Sequence, residues 1–368
     1  MELRVVISGG GTGGHIYPGI ALAKALLQLK PEMKILFIGG KGQRESRIIP
    51  DSGFDFAPIL VQGLPRKLSL KWIKFFIKVP AGFFKSLVIL SRFKPDVVIG
   101  TGGYVCGPII LAAWILRKPT VIQEQNTVPG ITNRILGRLV GEIYVPFEEA
   151  VKFFPQEKTR ITGNPVRSEI ATTPDSREKL GLDKNKLTIS FLGGSQGARS
   201  INVAAIDALK LLSEFTSEIQ IIHQTGESDF SMVKEAYDKS PFKAIVQPFY
   251  PKIEEVYAAT DLAVCRSGAM TLAEITARGL PAILVPYPYA ASDEQTFNAK
   301  ALENKGAAIM IKDSKLTGEF LANTITSLIK DKNRLSNMAN KSKSLGKPDA
   351  AQEIAQSVIS LMIDQINS

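Results

Sequence analysis

The sequence predicts an α/β protein of two doubly wound, Rossmann-like domains, and three observations carry that prediction. At 368 residues the chain is longer than one ordinary core organises. Apolar runs of strand length alternate with amphipathic stretches of helical period. An opening unit of strand, glycine loop and helix occurs twice, as "VISGGGTGGHIYPGIALAKAL" (6–26) and as "LTISFLGGSQGARSIN" (187–202).

In chain order, the first set of strands is expected at 3–8, 34–38, 96–100, 120–123 and 142–145, with a helix from about Pro18 after the first. The second set starts at 187 and continues through 219–226, 243–249, 262–268 and 282–288. Gly163, Asn164 and Pro165 interrupt the pattern, so the domains are expected at 1–164 and 165–349. From 350 to 368 a helix carries Ile354, Val358, Leu361 and Met362 on one side, a candidate to pack back on the first domain. Two such domains present the loops after their strands to a central cleft, where ligands bind.

Composition narrows the function. Hydrophobic content of 45% with mixed charge fits a folded globular chain. The start, Met1-Glu2 and a short strand, lacks the basic end and apolar run of a signal peptide, and two cysteines without metal spacing suit a reducing cytosol. Residues 97–116 carry no charge, but four glycines and Pro108 favour strand, loop and buried helix over a membrane span. Of the net +10, eight charges lie between Asp55 and Asp96, where there is no acid. A nucleic-acid binder spreads basic residues over a wider face.

The first glycine loop matches neither of two familiar phosphate sites. Gly9, Gly11 and Gly14 fit G-x-G-x-x-G, yet the next strand ends in glycines and Lys41 instead of the acid that would hold a nicotinamide ribose. His15 and Ile16 stand where a P-loop has Lys and Ser/Thr. A cradle without lysine suits a diphosphate held by backbone N–H groups and a helix N-terminus. A merely tight strand–helix turn is the alternative. His15 has the right unperturbed pKa for a general base and equally suits a helix-orienting imidazole.

"GTGGYVCGP" (100–108) offers a second cradle, and "QEQNTVPGITNR" (123–134) gathers Glu124, Gln125, Asn126 and Thr127 at a loop start. In the second half "GGSQGA" (193–198) repeats the cradle with Ser195 as a hydroxyl donor. "CRSGAMTLAE" (265–274) places Glu274 where a carboxylate would accept both hydroxyls of a ribose; Thr271 and Glu274 also have capping-box spacing. His223 ends a strand and suits a buried hydrogen-bonded residue. No Asp-x-Asp and no His/Cys/Asp cluster of metal spacing occurs, so no divalent metal and no cofactor are expected; helix N-termini would hold the leaving diphosphate.

In order along the chain, "GGGTGGHIYPGIALAKAL", "GGYVCGP", "QEQNTVPGITNR", "GNPVR", "GGSQGARSIN", "HQTG" and "CRSGAMTLAE" closely resemble the MurG family, over nearly the whole length. That family is the N-acetylglucosaminyltransferase of peptidoglycan synthesis that makes its second lipid intermediate. The resemblance implies a GT-B glycosyltransferase fold, with UDP-N-acetylglucosamine on the C-terminal domain and a lipid-linked muramoyl-peptide acceptor on the N-terminal one. It places Thr12, Gly13, Gly14 and Asn126 on the sugar and acceptor side, and Gly11, Gly102, Gly103 and Tyr104 at the acceptor diphosphate. Arg167, Ser195 and the run Ala269, Met270, Thr271, Leu272, Ala273 and Glu274 would hold the nucleotide. The backbone near Tyr250 would face uracil and Gln295 the sugar hydroxyls. His15 would take the acceptor proton, with Glu124 in reserve. Family members often have His where this chain has Gln123 and Glu294, and Ser in place of Cys106.

"RKLSLKWIKFFIKVPAGFF" (66–84) spaces Lys67, Lys71, Lys74 and Lys78 on one helical stripe, opposite Trp72, Ile73, Phe76 and Val79. The apolar side suits burial in the core; Trp, Phe and Lys without acids also suit an anionic membrane surface. Together with this stripe, the resemblance implies a peripheral position on the cytoplasmic face of the plasma (inner) membrane, with no nucleic-acid partner. The rivals are a UDP-N-acetylglucosamine 2-epimerase of the same fold, a nicotinamide dehydrogenase using Lys41 or Arg44 on a 2′-phosphate, and a non-catalytic sugar-nucleotide sensor.

Overall fold

The structure, a computed structural model, describes residues 2–61, 63, 71–290 and 293–367, with 43, 71–75, 366 and 367 described by main chain alone. It divides into two units, one formed by Met1–Val166 with Asp349–Ser368 and the other by Arg167–Pro348.

The first unit is built on seven parallel strands: β1 Arg4–Ser8, β2 Lys34–Gly40, β3 Asp55–Ile59, β4 Val97–Gly100, β5 Thr120–Gln123, β6 Glu142–Val145 and β7 Thr159–Ile161. Their order is β3-β2-β1-β4-β5-β6-β7. Both faces are covered, which is why Val5, Val6 and Ile7 of β1 are apolar in succession. Val5 and Ile7 join Leu22 and Leu26 of the Gly13–Leu29 helix and Ile354, Val358 and Met362 of the Ala350–Asn367 helix. Val6 points the other way, into a core with Leu90 of the Lys71–Phe93 helix and Ile109 and Ile110 of the Cys106–Ile115 helix.

The second unit repeats the plan with β8 Leu187–Leu192, β9 Ile219–Gln224, β10 Ala244–Gln247, β11 Leu262–Cys265, β12 Ala282–Leu284 and β13 Ala308–Met310, all parallel in the order β10-β9-β8-β11-β12-β13. Its core stacks Ile189, Phe191, Ile221 and Val264 against Ile201, Ala205 and Ala208 of the Arg199–Leu211 helix.

Three strands went unpredicted, β3, β7 and β13, and each lies at a sheet edge. An edge strand is covered on fewer sides, so it lacks the long apolar run; β3 even tolerates Pro58. The first helix starts at Gly13 and not near Pro18, because Thr12 is extended and Pro18 sits buried in the second turn. The strands expected to reach 226, 249, 268 and 288 stop two to four residues earlier, which releases Thr225, Ser267 and Gly268 into loops. The uncharged window 97–116 resolves into β4, a glycine loop and a helix, and no helix among the described residues is long and apolar enough to cross a membrane.

Candidate active site

In each sheet the strand order reverses beside the first strand of the unit, between β1 and β4 and between β8 and β11. The crevice outside the carboxyl ends of strands at such a reversal is where open α/β sheets bind ligands. All the glycine loops singled out in the sequence emerge there.

In the first unit the loop after β1 and the loop after β4 interlock. A Cβ at Gly9 would stand 2.0 Å from Thr101 Oγ1, and that hydroxyl donates to His15 O at 2.7 Å. Gly102 and Gly103 have φ of +99° and +82°, a region that glycine alone enters without strain. They lie flat against the His15 ring: a Cβ at Gly102 would be 2.6 Å from His15 Nδ1. His15, half-buried in the first helical turn, meets Gln125 Oε1 through Nδ1 at 2.8 Å. Tyr104 is exposed, and its ring approaches Gly11 and Gly63.

Two expectations are corrected here. The Gly11 N–H does not await an external anion; it donates to Glu45 Oε1 at 2.7 Å, and Glu45 is itself buried beside Gly10 and Gly42. Glu124 does not offer a carboxylate to substrate. It is buried, with Oε1 accepting from the Gln125 and Asn126 N–H groups and Asn126 Nδ2, and Oε2 from Gly130 N–H and Asn133 Nδ2. Those bonds tie the loop after β5 into a fixed turn. Cys106 donates to Ser8 O and Gly102 O, and burial pushes its thiol up to about 11, so it is a loop fastener.

In the second unit, Gly197 and Gly226 bring two loops into backbone contact. A Cβ at Gly226 would lie 2.6 Å from Gly197 Cα, and both glycines have positive φ. Ser195 stands exposed on the first of these loops. After β11 the Ala269–Arg278 helix begins, with Gly268 as its N-cap. Thr271 therefore lies inside the helix, and the capping box is excluded by position.

Glu274, three residues deeper, receives the Tyr257 hydroxyl at 3.0 Å on Oε2. Burial raises its carboxyl above the ordinary range, and the Arg167 guanidinium works against that rise. Arg167 itself lies 3.5 Å from Glu254. Tyr257 and Glu254 went unnoticed in the sequence; their only signal is "IEEVYAA" with an acid and an aromatic on one short helix.

One more assignment changes. Leu272 is fully buried and its N–H is used inside the helix, so it anchors the helix and cannot touch a nucleotide. For Tyr250 the expectation, made for the backbone, narrows to the carbonyl: the residue is buried, its N–H donates to Gln224 Oε1 and its hydroxyl to Ile245 O. Gln295 keeps Oε1 on Tyr287 N–H and accepts Ser267 Oγ on its carbonyl, so among the described residues its side-chain NH₂ has no partner. His223 is buried between Asn202 and Tyr237, and its pKa falls to about 3.

Lys67 lies outside the described residues, as do the side chains of Lys71, Trp72 and Lys74. On the same helix Phe76, Ile77 and Phe84 are exposed, while Gly82, Ser86 and Leu90 face the core. Lys78 is half-buried.

Residues 5–145 match the glycosyltransferase family 28 N-terminal domain and residues 188–354 the glycosyltransferase family 28 C-terminal domain. The UDP-N-acetylglucosamine–N-acetylmuramyl-(pentapeptide) pyrophosphoryl-undecaprenol N-acetylglucosamine transferase of Halothermothrix orenii is 46% identical over 359 residues, covering 94% of this chain and 95% of that one. The crystal structure of Acinetobacter baumannii MurG aligns with a TM-score of 0.78 at 29% identity, over 98% of this chain and all of that one. The UDP-GlcNAc 2-epimerase from Neisseria meningitidis shares the fold alone, at TM-score 0.69 and 15% identity, over 98% of this chain and all of that one.

Proposed function

Since this chain belongs to glycosyltransferase family 28, and within it to the MurG group, we propose that its first unit receives the acceptor and its second unit the sugar nucleotide. It is an N-acetylglucosaminyltransferase, and the epimerase alternative gives way to near-full-length relatives of the transferase kind. The reaction is an inverting transfer from UDP-N-acetylglucosamine to the 4-hydroxyl of undecaprenyl-diphospho-N-acetylmuramoyl-peptide, giving lipid II and UDP.

The observation that carries the residue assignment is His15. Among its ring nitrogens only Nδ1 has a partner, so Nε2 stands unpaired among the described residues at the switch point between β1 and β4. As the acceptor oxygen bonds to the anomeric carbon, His15 Nε2 takes the hydroxyl proton and the C1–O bond breaks with its electron pair leaving on UDP. Gly13, Gly14, Gly102, Gly103 and Tyr104 receive the acceptor diphosphate, the first two through N–H groups that precede the helix's own hydrogen-bond ladder. Thr12 and Asn126 border the sugar.

In the second unit Glu274 accepts the ribose hydroxyls, with Arg167 and Ser195 toward the diphosphate and Gln295 toward the sugar. Ala269, Met270, Thr271 and Ala273 form the first turns of the helix whose N-terminus faces the leaving group. The exposed Phe76, Ile77 and Phe84, together with Trp114 and Ile115 on the adjacent helix, support a docking face for the bilayer that carries the acceptor. Incubation with labelled UDP-N-acetylglucosamine, with and without lipid-linked acceptor, tests the proposal. Label must appear in the lipid; epimerised sugar nucleotide, or label retained with both substrates present, refutes it.

A further inference from the structure

We infer that a relay of three buried amides, Asn164, Gln123 and Gln125, fixes His15 as the Nδ1–H tautomer and makes Gln125 a positioning residue for the transfer. The catalytic consequence rests on the role proposed for His15; the tautomer itself does not.

The Gln125 amide can be oriented in one way only. Its Nε2 lies 2.7 Å from Thr101 O and 3.0 Å from Gln123 O, and beside Gln123 Oε1 as well. All three are acceptors, so this atom must be the NH₂, and the oxygen is the atom that faces His15 Nδ1 at 2.8 Å. An amide oxygen cannot donate, so Nδ1 carries the hydrogen, and a neutral imidazole then has its lone pair on Nε2.

The same rule holds each amide behind it. Gln123 Nε2 donates to Glu124 O at 2.9 Å and to Asn164 Oδ1 at 2.8 Å, while Asn164 Nδ2 donates to Gln125 O at 2.9 Å. Gln123 and Gln125 are 0% and 1% exposed, so water does not substitute for any partner. The titratable groups on the elements packed around the ring bond elsewhere: Glu45 to Gly11, Glu124 to its own loop, Cys106 to Ser8 and Gly102. Tyr104 is turned toward Gly11 and Gly63. No link of the relay titrates, so the tautomer does not change with pH.

The other histidine supplies an internal control. Asn202 Nδ2 donates to Thr225 O and Asp229 Oδ2, which leaves its Oδ1 facing His223 Nε2 at 3.0 Å. His223 is therefore the Nε2–H tautomer, with Nδ1 receiving the Tyr237 hydroxyl. The chain has only these two histidines, and they are expected to be opposite tautomers.

Long-range ¹H–¹⁵N correlation spectra of ¹⁵N-histidine-labelled full-length protein read both rings directly. One Nδ1–H and one Nε2–H pattern are expected, with the former disappearing in His15→Gln. Two Nε2–H patterns, or an averaged His15 ring, overturn the inference, and this spectrum decides even where a substituted chain fails to fold. In kinetics, Gln125→Met removes the acceptor and should forfeit part of the general-base factor of about 10²–10⁴. We expect kcat to fall roughly 10- to 100-fold with donor KM within about threefold. Gln125→Glu keeps an acceptor but adds a charge that favours the imidazolium, so the acid limb of the kcat–pH profile should move to higher pH. A limb that stays in place, with both variants merely losing thermal stability, assigns Gln125 a structural role and refutes positioning. If His15→Ala keeps normal kcat while the wild-type ring is Nδ1–H, the base assignment falls and the relay stands.

Discussion

Replacing Glu274 by Gln separates binding from folding. The carboxylate accepts one hydrogen bond from Tyr257, and its charge is opposed by burial and favoured by Arg167. A glutamine oxygen still accepts from Tyr257, but it no longer offers two charged acceptors to a ribose diol. A hydrogen bond to a charged group contributes about 1.5–3 kcal/mol, so donor affinity should weaken roughly ten- to a hundredfold. Thermal stability should not fall. A carboxyl raised by burial contributes most to stability below its unfolded pKa, and that contribution is lost as pH rises through the raised folded value. At neutral pH the ionised form is a cost, which glutamine removes. For the same reason wild-type donor affinity should decline on acidification at a higher pH than an ordinary glutamate would give. Calorimetric titration with UDP-N-acetylglucosamine and a melting curve of each protein test this together. Unchanged affinity with a melting point lower by several degrees would show that Glu274 holds the helix and not the ligand.

His15→Ala should lower kcat about 10²–10⁴-fold with little change in donor affinity, whereas Glu124→Gln should lower the melting temperature more than it alters the chemistry; the reverse pattern would return Glu124 to the role of base. Activity should survive chelation by EDTA, and loss restored by magnesium or manganese would refute a metal-independent mechanism. Binding to anionic liposomes should fall as salt rises, and changing Lys67, Lys71, Lys74 and Lys78 to Glu should abolish it: at about 1 kcal/mol per lysine the stripe contributes roughly 4 kcal/mol, near a thousandfold. Wild-type binding by the quadruple variant would leave the lysines as solvated surface.

Particular residues show what the sequence makes legible. The central strands were readable because burial on both faces keeps charged residues out of their middles, as in "RVVIS" and "LTISFL". Edge strands such as "DFAPI" meet a weaker demand and leave a weaker mark. The glycine loops were visible because a loop that brushes a backbone or an imidazole tolerates no Cβ, as at Gly226 and Gly102. Partners distant in sequence were not visible. Nothing in "RESRII" says that Glu45 reaches the Gly11 N–H, and nothing in "QEQN" separates a buried loop organiser from an exposed base. Periodicity reports which face of an element is covered; it does not report which polar atom a distant loop will bring to it.

The return of the Ala350–Asn367 helix to the first unit has a consequence for how the protein comes into being. Ile354, Val358 and Met362 complete a core whose other half, Leu22 and Leu26, is made early in synthesis. The whole second unit, Arg167–Pro348, is translated in between. At about 5–20 residues per second, that interval lasts roughly ten seconds or more. During it the nascent first unit carries an uncovered apolar strip, while the second unit has every strand of its own sheet and can finish first. A chain that stalled before residue 350 would thus carry a complete second unit attached to a first unit whose Leu22 and Leu26 lack their cover.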